Sequence, residues 1–266
     1  MRSTWVRLAG PVLLASGLAL AGCGEPARTT RTSPSAAAEP AAEPAAEPAA
    51  ESAPPQVGED PTPVPTPTKP KVSKATLDYF VQVALVGRDA HDGKIAIWTN
   101  PVAQVHLSGT VSAASRTCAD QTVADFNALS ATTKLQITSG PGDIELQIVP
   151  SSRFKSIDPQ STVDSDGFTH PSWPHGTNAI SRATVLVAST GVSASMRCSL
   201  IRRQLTEATG LRDGTTAHTS SVFTIHAGSY PTKYSALDKQ LIKLLYSGAI
   251  HPLDDREAVT REVTVT

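Results

Sequence analysis

The sequence is poor in aromatic residues and carries almost no excess charge. Three Trp, four Tyr and five Phe make up 5% of its 266 residues, and the formal net charge is -1. A nucleic-acid binder needs a basic excess to neutralise phosphates and release counterions, so this balance argues against that class. We therefore expect no nucleic-acid partner. The chain also lacks a G-x-S-x-G nucleophile elbow and a phosphate-binding glycine loop.

The first apolar run is too short to cross a bilayer comfortably. Arg2 and Arg7 precede it, residues 8–20 form it, and Leu-Ala-Gly then leads into Cys23. This stretch resembles the lipobox of bacterial lipoproteins, which implies a signal peptide over residues 1–22 and acylation of Cys23, for example with palmitate. We expect an extracytoplasmic protein anchored to the bacterial cell membrane through Cys23. The alternative is an ordinary secretory signal with a chance cysteine.

Residues 24–73 contain no aromatic residue and almost no branched apolar one. Ala-Ala-Glu-Pro repeats with a period of four, and PTPVPTPTKPK follows. Such a composition cannot form a core, and the regular prolines remove backbone donors and forbid a continuous helix. We expect residues 23–73 to comprise the lipidated cysteine and a disordered, partly polyproline-II tether that holds a domain away from the membrane.

Cysteine is equally scarce. Once Cys23 is lipidated, Cys118 and Cys198 remain, and an even pair outside the cytoplasm is most simply a disulfide. Two buried free thiols or half of a metal site are the alternatives, although the chain has no C-x-x-C spacing that would favour a metal.

The rest of the chain, residues 74–266, is long enough for one domain with its own core. Helical spacing marks TLDYFVQVAL and ASRTCADQTVADFNALSATT, and strand-like patterns mark KLQITSG and DIELQIVP on either side of a Gly-Pro-Gly turn. KIAIWTNPVAQVHLSG alternates like a strand interrupted at Asn100-Pro101, AISRATVLVAS is a buried-looking strand, and SSVFTIHAGSYPTKY indicates a short strand and a turn. SALDKQLIKLLYS is an amphipathic helix capped by Ser235. This order predicts a mixed α/β (α+β) domain with helices outside a curled sheet.

The segment CSLIRRQLTEATGLRDG resembles the zinc-binding helix of metzincin proteases, H-E-x-x-H-x-x-G-x-x-H. Laid on this sequence, that pattern falls on Arg203, Gln204, Glu207, Gly210 and Asp213. None of the three histidines is present. An amide at the general-base position cannot take a proton from water near neutral pH, and an arginine cannot bind zinc. We therefore expect no standard zinc site, and zinc as a cofactor only through non-standard ligands.

Two neighbouring segments extend the resemblance. RATVLVAS leads into the helix through a short polar turn, and YSALDKQLIKLLYSG resembles the segment after the Met-turn of matrixin-like proteases, without its methionine. Together these segments look like an uncharacterised family of bacterial lipoproteins with a zincin-like domain. The resemblance implies a zincin-like mixed sheet with flanking helices and a degenerate active-site helix. Because that family's activity is not established, it supplies a fold and not a reaction.

The helix itself admits three interpretations. In the first it is a core helix, with Leu200, Ile201, Leu205 and Ala208 inward and an Arg203–Glu207 pair on the surface. In the second, Gln204 and Glu207 line a non-catalytic cleft, to which Trp173, Arg203 and Asp213 also belong. In the third it carries a real metal or hydrolytic site.

Histidines supply the only other candidate metal ligands. His170 and His175 flank Trp173 in a polar loop, and His218 and His226 follow the helix, where a third zincin ligand would lie. They are weak candidates because loosely paired histidines are usually surface residues.

The sequence favours a membrane-anchored protein that binds a peptide, a protein or a cell-envelope component without catalysis. The cleft border is expected near DIELQIVP or the Trp173 loop. One alternative is a divergent metal-dependent hydrolase or peptidase using Glu207, Asp213 and some of the four histidines. The other is a structural envelope adaptor, which predicts no cleft.

Overall fold

The computed structural model describes residues 69–85, 93–162 and 165–266. The signal peptide expected at 1–22, the lipidated Cys23 and most of the tether expected at 23–73 lie outside these ranges. Within them, no helix has both the length and the apolar character needed to span a membrane.

Five strands form the central sheet in the spatial order β4-β3-β5-β8-β6. The parallel strands are β3 (Val102–Gly109), β4 (Lys134–Thr138), β5 (Ile144–Val149) and β8 (Arg182–Ala188), and β6 (Gly167–Ser172) pairs antiparallel with β8 at one edge. The second half of β8, from Val185 to Ala188, is fully buried, as expected for an inner strand covered on both faces.

Among the described residues, six α-helices and two small strand pairs complete the domain. The helices are α1 (Lys74–Leu85), α2 (Ala113–Asn127), α3 (Phe154–Ile157), α4 (Ala194–Glu207), α5 (Ala236–Leu245) and α6 (Arg256–Arg261). The small parallel pairs are β1 (Lys71–Val72) with β9 (Thr264–Val265) and β2 (Ile97–Trp98) with β7 (Ala179–Ile180). The expected mixed α/β class, with a mixed sheet and flanking helices, is confirmed.

The Gly-Pro-Gly segment links β4 to β5, as the sequence predicts. These two strands are not neighbours, because β3 lies between them and pairs with both. The Gly-Pro-Gly segment instead runs against the β3 backbone, where a Cβ on Gly142 would lie 2.6 Å from the Gln104 carbonyl oxygen. Glycine and proline mark a change of direction in the sequence, but they do not say which strands pair.

The interruption expected at Asn100-Pro101 divides β2 from β3, which belong to different sheets. The other strand-like segment was predicted wrongly in part. In SSVFTIHAGSYPTKY the described chain forms no strand, and Thr224 makes a single bridge to Thr215. The apolar residues Val222 and Phe223 that produced the strand-like pattern are buried in a loop.

Helices α2 and α4 pack side by side and are joined by the disulfide between Cys118 and Cys198, whose Cα atoms are 5.5 Å apart. The disulfide expected from the sequence is therefore confirmed. It fixes the first half of α4 to α2.

The other end of α4 is fixed by the core. Trp98 Nε1 donates to the Ala208 carbonyl at 2.9 Å, and the Tyr246 hydroxyl donates to the Thr209 carbonyl at 2.7 Å. Gly210 then has a φ of 107°, and a Cβ there would lie 2.1 Å from the Ala96 oxygen, so only glycine fits. Helix α4 is held at both ends, so the side chains on its polar face have a fixed position.

Candidate binding cleft on helix α4

Polar side chains are buried along α4 to an unusual extent. The helix begins at Ser193, whose hydroxyl accepts from the Met196 amide at 3.1 Å, and several of its last residues are polar and buried. Those buried polar residues are Arg202, Gln204, Thr206 and Glu207. Because burying polar groups without partners is costly, each of them should have a partner or a ligand.

Arg203 and Glu207 form an ion pair inside a cavity. Arg203 Nε donates to Glu207 Oε1 at 2.6 Å, and Arg203 Nη1 donates to the Thr224 carbonyl at 3.0 Å. The Glu207 carboxylate is the main reason that the pKa of Arg203 is raised above its ordinary value. Since Glu207 is only 8% exposed, the expectation of a pair on the open surface was wrong. The i,i+4 spacing predicted the pair, but it could not predict that a strand and a loop would cover these side chains.

Gln204 is held by the edge strand β6. The Thr169 hydroxyl lies 2.8 Å from Gln204 Oε1 and 3.0 Å from the Gln204 carbonyl oxygen. A Cβ on Gly167 would lie 3.1–3.2 Å from three atoms of the Gln204 side chain. Strand β6 therefore rests directly on α4, and the Gln204 amide takes part in this contact.

A cavity of about 450 Å³ lies over these residues. Its walls are β6 with the residues before it, the second half of α4, the segment 212–214 and the side chain of Ile225. Four of the residues expected from the sequence line it together: Arg203, Gln204, Glu207 and Asp213. Trp173 does not line it, but its ring lies 5.9 Å from Cζ of Arg212, which does.

Several lining residues carry no signal in the sequence. Asp166, Thr169 and Arg212 are ordinary polar residues there, and Ile225 belongs to the segment that was expected to be a strand. Ile225 is 57% exposed and adds to the apolar part of the lining.

None of the four candidate histidines lines this cavity. His170 Nδ1 lies 2.7 Å from Asp158 Oδ2, and the His218 ring packs edge-on against Tyr79 at 4.5 Å. His175 and His226 are exposed. Across the described parts of the chain, no three His, Cys, Asp or Glu side chains are grouped so that they could hold a metal ion.

The border of the cleft is β6 and not DIELQIVP, because β5 is an inner strand. Asp166 accepts a hydrogen bond from Ala188 on the inner side of β6. Backbone groups alternate in direction along an antiparallel strand, so those of Gly167, Thr169 and Pro171 face outward. Pro171 has no N–H, which leaves Thr169 as the central outward-facing donor and acceptor.

Comparisons with known proteins give a similarity of fold at low scores. No protein-family model matches the chain. No curated protein matches it. A structure of myroilysin is 12% identical at a TM-score of 0.38, covering 58% of this chain and 98% of the other. A second myroilysin structure is also 12% identical, at a TM-score of 0.39, covering 57% and 86%. These scores assign neither a family nor an activity to this chain.

Proposed function

We propose that this protein is an extracytoplasmic binding protein, anchored through a lipid on Cys23, that holds an extended peptide segment in the α4 cleft without cleaving it. One observation carries the proposal: the Arg203 guanidinium is bonded to Glu207, and both residues line a cavity whose wall includes the edge strand β6. The described residues supply a groove, a backbone edge and fixed charges.

The α4 side chains that line the cleft favour binding over hydrolysis. Arginine stays protonated at all working pH values, so Arg203 occupies the Glu207 carboxylate as a permanent partner. Gln204 cannot serve as a general base, and its amide oxygen already lies within hydrogen-bonding distance of Thr169. No candidate histidine lines the cavity, which weighs against the divergent hydrolase.

The shape of the wall favours an extended peptide as the ligand. A peptide can add to a sheet edge through its backbone and place alternate side chains in the adjoining groove. Here the outward groups of Thr169 provide the backbone partners, while Arg203, Arg212, Asp166 and Asp213 line the groove with both signs of charge. A structural adaptor would need no such cavity.

Peptide binding can be tested with an array of extended peptides, followed by fluorescence anisotropy on the best binders. Methylating the peptide backbone nitrogens one at a time should abolish binding at alternate positions only, because alternate N–H groups face β6. Equal loss at every position, or at none, would rule out strand addition.

A protein variant tests the location of the site. Gly167→Leu should weaken peptide binding strongly, since its side chain would enter the space beside Gln204. Gly140→Leu, the same change at a glycine outside the cavity where a Cβ would meet nothing within 4 Å, should leave binding unchanged. Cleavage of the bound peptide by metal-loaded protein would instead establish the hydrolase.

Anchoring needs its own test because Cys23 lies outside the described residues. Cells expressing the chain and fed radiolabelled palmitate should label it and retain it in the membrane fraction. Cys23→Ser should remove both label and membrane retention. Retention of the unlabelled variant would contradict a lipid anchor.

A further inference from the structure

A second and larger cavity, of about 900 Å³, lies elsewhere on α4. Arg202 lines this cavity, whereas its neighbour Arg203 lines the peptide cleft. Successive residues of a helix point about 100° apart, so two adjacent arginines serve two separate sites. None of the residues lining one cavity lines the other.

The charges around this cavity are strongly unbalanced. Four cationic side chains line it against one carboxylate, Asp125; the cations are Arg202, Lys233, Lys239 and Lys243. The three lysines are exposed, so their ammonium groups can move toward a ligand. Because the chain as a whole is close to neutral, this concentration is a local feature.

Arg202 is the fixed element of the group. Its side chain is only 2% exposed, and its guanidinium carbon lies 4.6 Å from the centre of the Tyr234 ring. Nη1 lies 2.7 Å from Asp125 Oδ2 as an ion pair, but neither Nη1 nor Nε has a hydrogen-bond partner among the described residues. A buried guanidinium N–H without an acceptor is costly, which points to a partner supplied from outside the chain.

We propose that this cavity binds a phosphate-bearing ligand, with Arg202 as the buried anchor and Lys233, Lys239 and Lys243 as a mobile rim. A phosphate group carries several acceptor oxygens and up to two charges, which suits an arginine fork with lysines around it better than a single carboxylate does. Asp125 then acts as a built-in competitor that pairs with Arg202 when the ligand is absent. This site does not depend on the peptide cleft.

The phosphate could belong to a soluble molecule or to a lipid headgroup, and two assays separate these sources. Calorimetry with inorganic phosphate and pyrophosphate measures soluble ligands. Co-sedimentation with phosphatidylcholine vesicles, with and without phosphatidylglycerol, measures a lipid surface. Both use the full chain carrying Cys23→Ser, so that acyl chains contribute nothing. Binding in either assay supports the site and names its source, and binding in neither overturns it.

Lysine variants locate the binding. Alanine at Lys233, Lys239 or Lys243 should each weaken binding by about five-fold, the usual effect of one cation near an anionic surface. Lys155→Ala, at an exposed lysine outside the cavity, should change binding by less than about two-fold. Equal effects at all four positions would mean general attraction and would overturn the proposal.

Asp125, which competes with the ligand for Arg202, provides a test in the opposite direction. Asp125→Asn should tighten phosphate binding by about the same factor, because it frees Arg202. Asp120→Asn removes the same charge from an exposed position of α2 that does not line the cavity. If the two variants bind phosphate equally well, Arg202 is not the anchor.

Discussion

Arg203 Nε lies 2.6 Å from Glu207 Oε1, one helical turn further along α4 and at the floor of the cleft. The metzincin pattern places the first two zinc ligands at these positions. In this chain Arg203 and Glu207 stand at these positions, and their opposite charges pair with each other. The charge that a metal would bring is supplied by the guanidinium of the chain itself.

We expect the protein to bind no stoichiometric zinc at this helix. Elemental analysis of protein purified without chelator should find well below one equivalent, and about one equivalent would contradict our interpretation. The combined variant Arg203→His, Gln204→Glu, Glu207→His and Asp213→His should acquire zinc, because these four positions line one cavity. A variant that folds but takes up no zinc would show that these four positions do not direct their side chains to one metal ion.

The Arg203–Glu207 pair should be strongly coupled. Removing one partner takes a close opposite charge away from a mostly buried group, so Arg203→Met or Glu207→Gln alone should each cost about 2 kcal/mol, and the double variant less than the sum. Lys74 and Asp78 form a control pair with the same i,i+4 spacing, but they are 78% and 47% exposed. Their coupling should be about 0.5 kcal/mol or less. Urea unfolding of both cycles measures this, and equal couplings would contradict the buried pair.

Gly210→Ala should be more damaging than an alanine at another glycine of positive φ. At Gly210 a Cβ would lie 2.1 Å from a backbone oxygen, whereas at Gly191, with a φ of 78°, it would meet nothing within 4 Å. We expect a loss of about 1 kcal/mol for Gly191→Ala and at least about 3 kcal/mol for Gly210→Ala. Midpoints of urea unfolding give both values, and similar losses would mean that the Ala96 contact is relaxed in solution.

Reduction of the disulfide should lower the free energy of unfolding by about 4 kcal/mol, because the Cys118–Cys198 bond closes a loop of 80 residues. Cys118→Ser combined with Cys198→Ser should lose a similar amount. Adding dithiothreitol should destabilise the natural chain and leave the double variant unchanged. A natural chain that does not respond to reductant would mean that the two thiols are free.

Two buried tyrosines predict a stability change at alkaline pH. Burial raises the pKa of Tyr79 and of Tyr234 to about 12 each, from an ordinary value of 10.0. Because the folded-state pKa lies above the unfolded one, the stability from these neutral phenols is complete below about pH 10. It is then lost as the pH rises from about 10 to about 12. Tyrosinate absorbance should therefore rise at higher pH in the native protein than in urea.

Phenylalanine variants provide the check. Tyr79→Phe and Tyr234→Phe should each flatten the fall in stability between these pH values, since neither can then ionise. An unchanged fall would assign it to other groups.

Local sequence signals located α1, α2, α4 and α5, but not the short helices α3 and α6. Ser235 caps α5 as expected, in a full capping box with Asp238. Such caps and apolar spacings act over three or four residues, so they can be read directly from the chain. For the same reason Gly210 was recognised as the end of the zinc-helix pattern.

Strand partners and burial could not be read in this way. The turn residues between β4 and β5 are visible in the sequence, but the insertion of β3 between these strands depends on contacts from distant parts of the chain. Burial of Arg202 depends on Asp125 and Tyr234, which belong to other helices or loops. No pattern around Arg202 distinguishes it from Arg203.

The sequence alone thus determined that the histidines of the metzincin pattern are missing, and it located α1, α2, α4 and α5 with the Ser235 cap, because these follow from residue chemistry and short-range spacing. The tertiary structure decided that Arg203, Gln204, Glu207 and Asp213 share one cavity under an edge strand, while Arg202 lines another. It also paired the two cysteines. These outcomes required long-range packing, which brings together side chains whose separation along the chain carries no information about their distance.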